Sequence, residues 1–444
     1  MTRRSQRNPP TRPRRRRTLP TSQSTKTNIQ RDSVIGVSRN KPTPNRRIGL
    51  WLIGAGGNVA ATVAIGLAAI RHGLAKPIGM TTEEPPVGDL PLAKLSNIVL
   101  GGHEVSKQTV NETLQQLHER SGLFTDPLIR TTATDIKAFE RNIRPGALMH
   151  SGEAIRRLKS RPGVWNSGTA QQAVDRIRRD LRSFAKQNRL ANVVVINVAS
   201  TEPPFALGAV HKSWTRLESA LRGPKPVLPS SSLYALAAIE ESMPYVNFTP
   251  SLGADVPALR ERAATLGACI MGADGKTGET LLKSVLAPMF RDRCLRVLSW
   301  AGHNILGNRD GRVLVTPGNK ASKLKTKDGL LRSMLGVSTQ THTAIEFVES
   351  LDDWKTAWDH IHFEGFLGTK MSLQFIWQGC DSVLAAPLIL DLARLAEYHA
   401  SSGGSGVMTH LSCFFKAPMD VTEHRFSRQI EMLQRYAMDR ARGR

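Results

Sequence analysis

The chain is poor in cysteine, in aromatic residues and, over its first 47 positions, in acids. Its four cysteines, Cys269, Cys294, Cys380 and Cys413, have neither a zinc-type spacing nor a CxxC pair. That excludes the usual metal and dithiol motifs, so no metal site is expected, and it predicts reduced, mostly buried thiols of a cytoplasmic protein. Aromatics form 5% of the chain, too few for a surface built to stack bases. The longest apolar stretch, Val59–Ile70, is too short to span a bilayer, and the N-terminus lacks the apolar core of a secretory signal. No internal repeat is present.

Positive charge is abundant. Residues 1–47 hold fourteen basic residues against one acid, Asp32, so of the net +24 this segment carries +13 and the remainder +11. The segment is rich in Arg, Pro, Ser and Thr and cannot bury enough apolar surface to offset its ordering entropy; a disordered tail is predicted. The same composition also fits a transit peptide. A tail of this charge allows contact with nucleic acid, which would be steeply salt-dependent and vanish on removal of residues 1–47. The basic remainder favours anionic substrates by steering.

The 444 residues suffice for two or three domains. Ile48–Ile53 is an apolar run with the character of a buried parallel strand, Gly54-Ala55-Gly56-Gly57-Asn58 follows at once, and Val59–Ile70 reads as a helix ended by Gly73 and Pro77. This is the opening strand, turn and helix of a doubly wound fold. Glycines let a backbone approach a pyrophosphate while the helix N-terminus offers N–H donors and a positive dipole end. Gly54, Gly56, Gly57, Asn58 and Val59 are therefore candidate NAD contacts. No acid stands cleanly at the end of a second strand, which leaves Glu83 and Glu84 as the candidates for a ribose contact. Further on, 171–190 is an amphipathic helix, 191–198 a buried strand that empties into Ala199-Ser200-Thr201-Glu202-Pro203-Pro204, 231–241 a helix and 245–250 a strand. From 255 to 380 the expectation is a helix at 280–290, a strand at 295–299, a Gly/Asn/Asp-rich loop at 302–311 and a lysine cluster (Lys320, Lys323, Lys325, Lys327). An apolar helix at 383–400 and a basic amphipathic one over the last twenty residues close the chain.

Four segments carry Gly, Asn, Asp, Thr and Lys that no core requires: 272–280, 304–311, 322–327 and 412–418. Turns of this kind hold phosphates. Lys416, flanked by apolar residues, invites a depressed pKa and proton transfer. Taken in order along residues 48–420, these segments resemble the myo-inositol-1-phosphate synthase family. Gly54–Ala60 is similar to its GWGGNNG turn, Ile196–Pro203 to LWTANTER, Asn247–Ser251 to NGSPQ, Asp274–Thr280 to DFKSGQT, Leu306–Gly311 to LGNNDG, Ser322–Lys327 to SKEISK, Gly368-Thr369-Lys370 to GDSK, Asp381–Pro387 to DSLLAAP and Leu411–Pro418 to LSYxLKAP.

The resemblance implies a Rossmann-like doubly wound NAD-binding domain with an inserted α+β catalytic and oligomerisation domain: a tail at 1–47, the NAD-binding domain at 48–254, the catalytic domain at 255–380, and a segment at 381–444 that returns to the first domain. It implies a homotetramer. It also implies a reaction in which C5 of D-glucose 6-phosphate is oxidised with NAD, C6 is deprotonated and attacks the C1 aldehyde, and C5 is reduced again, giving 1D-myo-inositol 3-phosphate. Lys323, Lys327, Lys370 and Lys416 would then be the catalytic and phosphate-binding lysines, with Lys327 and Lys416 preferred for charge stabilisation and proton transfer, and Asp310 would orient a lysine. Thr277, Gly278, Thr280 and Asn308 would bind phosphate. Ala199, Ser200, Thr201, Asp274, Asp381 and Ser382 would join the glycine turn around the cofactor. The chain departs from the family at Glu279 (for Gln), Arg309 (for Asn) and Pro203, on substrate and cofactor loops, which keeps a different sugar phosphate or an ordinary NAD-dependent dehydrogenase as alternatives.

Overall fold

A computed structural model of the chain describes residues 42–308, 311, 330–336 and 338–443. The tail as far as residue 41 lies outside the described residues. Residues 42–47 do not share the predicted disorder: Arg46 is held by the buried carboxylate of Glu397 and by the carbonyls of Thr43 and Pro91.

In chain order the elements are β1 (Ile48–Ile53), α1 (Asn58–Arg71), β2 (Ile98–Glu104), α2 (Val110–Ser121), α3 (Asp126–Arg141), β3 (Ile143–Pro145), α4 (Glu153–Arg157), α5 (Ala170–Asn188), β4 (Asn192–Asn197), α6 (Trp214–Leu221), α7 (Ser230–Glu240), β5 (Tyr245–Asn247), α8 (Pro257–Leu266), β6 (Cys269–Gly272), α9 (Glu279–Asp292), β7 (Arg296–Leu306), β8 (Gln340–Phe347), β9 (Trp354–Glu364), β10 (Lys370–Cys380), α10 (Asp381–Ser401), β11 (Gly406–Val407) and α11 (Phe426–Arg442).

Seven strands form one parallel sheet in the order β11-β6-β5-β4-β1-β2-β3. The central strands β1 and β4 are buried along their whole length, as the unbroken apolar runs IGLWLI and NVVVIN require when helices cover both faces. Alternation sorts the contacts: Trp51 meets Phe184 of α5, and a Cβ at Gly49 would meet the same helix, whereas the other face carries α1 and α10. The strand order reverses beside β1, and the crevice at that switch point is where ligands bind in such sheets.

The second sheet has four strands in the order β10-β9-β7-β8, with only β7 and β8 parallel. α9 covers one face through Phe290, Trp300 and Ile361. The other face shows Trp358 and Ile376 to solvent.

Two expectations change here. The boundary at 255 falls too early, because α8 and β6 continue the parallel winding and β6 pairs with β5 as far as Gly272. The loop at 302–311 is largely strand: β7 runs to Leu306 and is paired on both sides. Gly302 is there for closeness rather than for a turn, since a Cβ on it would stand 2.7 Å from Asp359 and 2.9 Å from Lys283.

Candidate active site

The glycine turn leaves the C-terminal end of β1. Gly54 has φ +90, a conformation that favours glycine, and its N–H and that of Ala55 donate to the His103 carbonyl at 2.9 and 3.1 Å. A Cβ at Gly54 would lie 2.8 Å from the Ala199 Cα, so the loop after β4 closes directly on the turn. This brings Ala199 beside Gly54, with Ser200 and Thr201 following it in the same loop.

Sequence reasoning missed the acid of this turn. β2 ends on Glu104, whose Oε2 accepts the Gly56 N–H at 2.7 Å while Oε1 accepts those of Val105 and Ser106 at 2.7 and 2.9 Å. A carboxylate at the end of the second strand is the usual partner of a dinucleotide ribose. The signal was present in Ile98–Glu104, an apolar run with two glycines ending in an acid. Glu83 and Glu84 do not reach this point; Glu83 pairs instead with Arg394 of α10. The glycine cradle, the N-terminus of α1 and Glu104 together fit NAD.

The loop after β4 is held from behind by Glu202. Its carboxylate accepts the Ser231 N–H at 3.0 Å and the Ser231 hydroxyl at 2.5 Å, at the N-terminal end of α7. Burial pushes the Glu202 carboxyl up to about 7 despite those donors.

The chemistry-bearing residues enter from β6 and from the segment before α11. Lys416, 8% exposed, donates from Nζ to Asp274 Oδ1 at 2.8 Å, and its N–H donates to the Asp274 carbonyl at 2.7 Å. Thr277, Gly278 and Thr280 lie at the N-terminal end of α9, a position that favours an anion. Asn308 follows β7 and accepts the Gly311 N–H at 2.9 Å.

A second cluster joins the two sheets. Asp353, just before β9, accepts the Asn58 amide at 2.8 Å on one oxygen; on the other it accepts the Ser382 hydroxyl at 2.5 Å and the Cys380 thiol at 2.7 Å. Thr62 of α1 donates to the same Ser382 hydroxyl at 3.0 Å. Burial raises the Asp353 carboxyl above its ordinary range against these donors. Ser382 and Asp381, at the start of α10, are thereby fixed beside the first turn of α1.

Lys370 is not part of this constellation. It begins β10, ten positions before Cys380, and pairs with Glu364 at the opposite end of the sheet. The lysine at the near end is Lys355 of β9, whose register partners are Leu306 and Gly379. Sequence reasoning followed a three-residue match, Gly368–Lys370, that a strand of this length carries away from the site. Asp310, Lys323 and Lys327 lie outside the described residues.

Glu279 does turn away from the phosphate-type loop. It is fully buried beneath the second sheet, where Lys283 Nζ stands 2.5 Å from Glu279 Oε1 and 3.2 Å from Asp359 Oδ1. Trp300 donates to Asp359 at 2.7 Å and Asn304 to Glu279 at 3.3 Å. Burial alone would depress the Lys283 ammonium, but the two carboxylates outweigh it and hold it above the ordinary lysine range. Burial, with the second carboxylate beside it, raises Asp359, because one cation serves two acids.

A parallel sheet with a glycine turn, an acid closing its second strand and a buried lysine–aspartate pair over the same edge is the arrangement of a dinucleotide-dependent enzyme. The family model described as myo-inositol-1-phosphate synthase matches residues 48–437, and the chain belongs to that family. It is 34% identical to inositol-3-phosphate synthase 1 of Bacteroides thetaiotaomicron, over 85% of this chain and 91% of that protein. It is 26% identical to inositol-3-phosphate synthase 1 of Oryza sativa subsp. japonica, over 84% of this chain and 81% of that one. In fold it is similar to the crystal structure of inositol-3-phosphate synthase from Caenorhabditis elegans, with TM-score 0.78 and 23% identity over 88% of this chain and 85% of that chain. The chain is an NAD-dependent enzyme of the isomerase type.

Proposed function

We propose that the chain is an inositol-3-phosphate synthase that converts D-glucose 6-phosphate to 1D-myo-inositol 3-phosphate. The observation that carries this reading is the buried Lys416–Asp274 pair, set beside the N-terminus of α9 on the sheet edge that bears the glycine turn. Bound NAD supplies the oxidation of C5 and its later reversal. Gly54, Gly56, Gly57, Asn58, Val59, Glu104, Ala199, Ser200, Thr201, Asp274, Asp381 and Ser382 hold and orient it. Thr277, Gly278, Thr280 and Asn308 bind the phosphate. Lys416, aligned by Asp274, moves the proton at C6, and its ammonium form stabilises the enolate and the alkoxide of ring closure. Lys355 takes the place first given to Lys370. Lys323, Lys327 and Asp310 complete the set by family resemblance.

The proposal includes a homotetramer in the cytoplasm. The open face of the second sheet, with Trp358 and Ile376 exposed, supports self-association. Among the described residues no helix is long and apolar enough to cross a membrane.

Incubation with glucose 6-phosphate and NAD should give periodate-releasable phosphate without net NADH. No product, with bound NAD confirmed by mass spectrometry, would sink the reading for this substrate, and net NADH would favour a dehydrogenase.

A further inference from the structure

The loop after β5 and the loop after β6 meet beneath the Lys416–Asp274 pair. The Asp274 N–H donates to the Thr249 carbonyl and the Gly275 N–H to the Phe248 carbonyl, both at 3.0 Å. On its other side the same stretch is held by the 412–418 segment. There the Ala273 N–H donates to the Ala417 carbonyl at 2.7 Å and the Lys276 N–H to the Phe414 carbonyl at 2.8 Å, with Gly275 bridged to Phe415. Residues 273–276 thus run between two segments that accept their N–H groups, and Asp274 is presented from a left-handed backbone, φ +62.

A side chain is missing from the middle of this stretch and present across from it. A Cβ on Gly275 would stand 2.1 to 2.5 Å from three atoms of the Phe248 ring, closer than real Cβ contacts come. The ring therefore occupies the space that a side chain at 275 would take. It also packs edge-on against Phe415, the neighbour of Lys416, at 6.4 Å between centroids, and Phe415 is wholly buried. One ring thus backs both partners of the ion pair, Asp274 through Gly275 and Lys416 through Phe415. Set beside the family segments, the two positions are exchanged. Asn247–Ser251 carries Phe248 where NGSPQ has Gly, and Asp274–Thr280 carries Gly275 where DFKSGQT has Phe.

We propose that Phe248 and Gly275 form one exchanged pair, and that Phe248 is a positioning residue that sets Asp274 against Lys416. This rests on the reading of that ion pair given above. The space between the two loops is filled once: a ring from either side serves, two rings overpack it and none leaves a cavity. Either fault lets the 273–276 stretch shift, and a displacement of about 1 Å at a reacting group costs about a hundredfold in rate. The two departures from the family cancel, so neither calls for a different sugar phosphate.

The test uses the full chain with NAD and compares Phe248→Gly, Gly275→Phe and the two together. Each single substitution should lower kcat about a hundredfold and lower the urea midpoint of unfolding. NAD affinity in calorimetry should stay within about threefold, because the glycine turn is backed by His103 and Ala199 instead. The double substitution should return kcat to within about tenfold of wild type and recover most of the urea midpoint, the non-additivity expected of two residues in contact. Additive losses of midpoint overturn the exchange. Equal losses of kcat and NAD affinity in Phe248→Gly overturn the positioning role. The midpoints need no turnover, so an inactive wild type overturns the reading of function while unfolding still decides the exchange. If both single variants fail to fold, a double variant that folds and binds NAD upholds the pair, and one that also fails overturns it.

Discussion

Lys355 and Lys370 differ in sequence by fifteen positions and in the structure by the length of a sheet. Lys355→Ala should cost two or more orders of magnitude in kcat if it helps stabilise developing negative charge, whereas Lys370→Ala should change kcat by less than about threefold; steady-state kinetics on both variants decides between them. Glu202 offers a stability test. Its folded pKa, about 7, lies above the unfolded carboxylate value, so the protonated form favours the fold. That contribution is complete below about pH 4.5 and is lost as pH rises to about 7, amounting to about 3 kcal/mol. Glu202→Gln cannot titrate, so the fall in Tm between pH 5 and pH 8 should shrink in that variant. At this scale the sequence was legible where chemistry is local. Lys416 and the glycines were chosen from their neighbours, Asp274 from the family resemblance, and they occupy one edge of the sheet. Glu104 and Lys355 were not chosen, because what distinguishes each is a partner more than 40 residues away or a position in a strand register.

The first strand, turn and helix were readable to within a residue, since an unbroken apolar run and a glycine cluster admit few other local structures. Gly54→Ala should test the turn: a side chain at φ +90 costs about 1–2 kcal/mol, and the contact with the Ala199 backbone should push the loop off the turn. The expected outcome is NAD binding weakened at least tenfold in calorimetry. The four-stranded sheet was much less legible. β7 contains Gly302 and Asn304, which read as loop residues, yet both face the charged layer beneath α9. Such positions are dictated by Lys283, Glu279 and Asp359, which belong to two other elements. Lys283→Met would leave two carboxylates buried without their cation, and urea unfolding should report a loss of about 3–5 kcal/mol. The substitution of Glu for the family's Gln at 279 is thus part of a buried ionic layer rather than a change in phosphate recognition.

For the molecule as a whole, charge is distributed unevenly, with +13 on the first 47 residues and +11 on the rest. The enclosing fold was predictable because alternating strands and helices with right-handed crossovers leave few topologies; the return of the chain came from the family resemblance alone, because β11 joins the sheet edge with only two residues and leaves no pattern to read. Asp353 ties that return to the first turn of α1 through Asn58 and Ser382. A ligand that orders the glycine turn therefore also steadies the far end of this tie. NAD should slow deuterium uptake over residues 353–382 as well as over 54–62, and by reciprocity the sugar phosphate should tighten NAD by the same factor as NAD tightens it. A cofactor that is regenerated at each turnover then has little reason to leave between substrates, and its residence time, rather than its equilibrium affinity, becomes the quantity under which the enzyme operates.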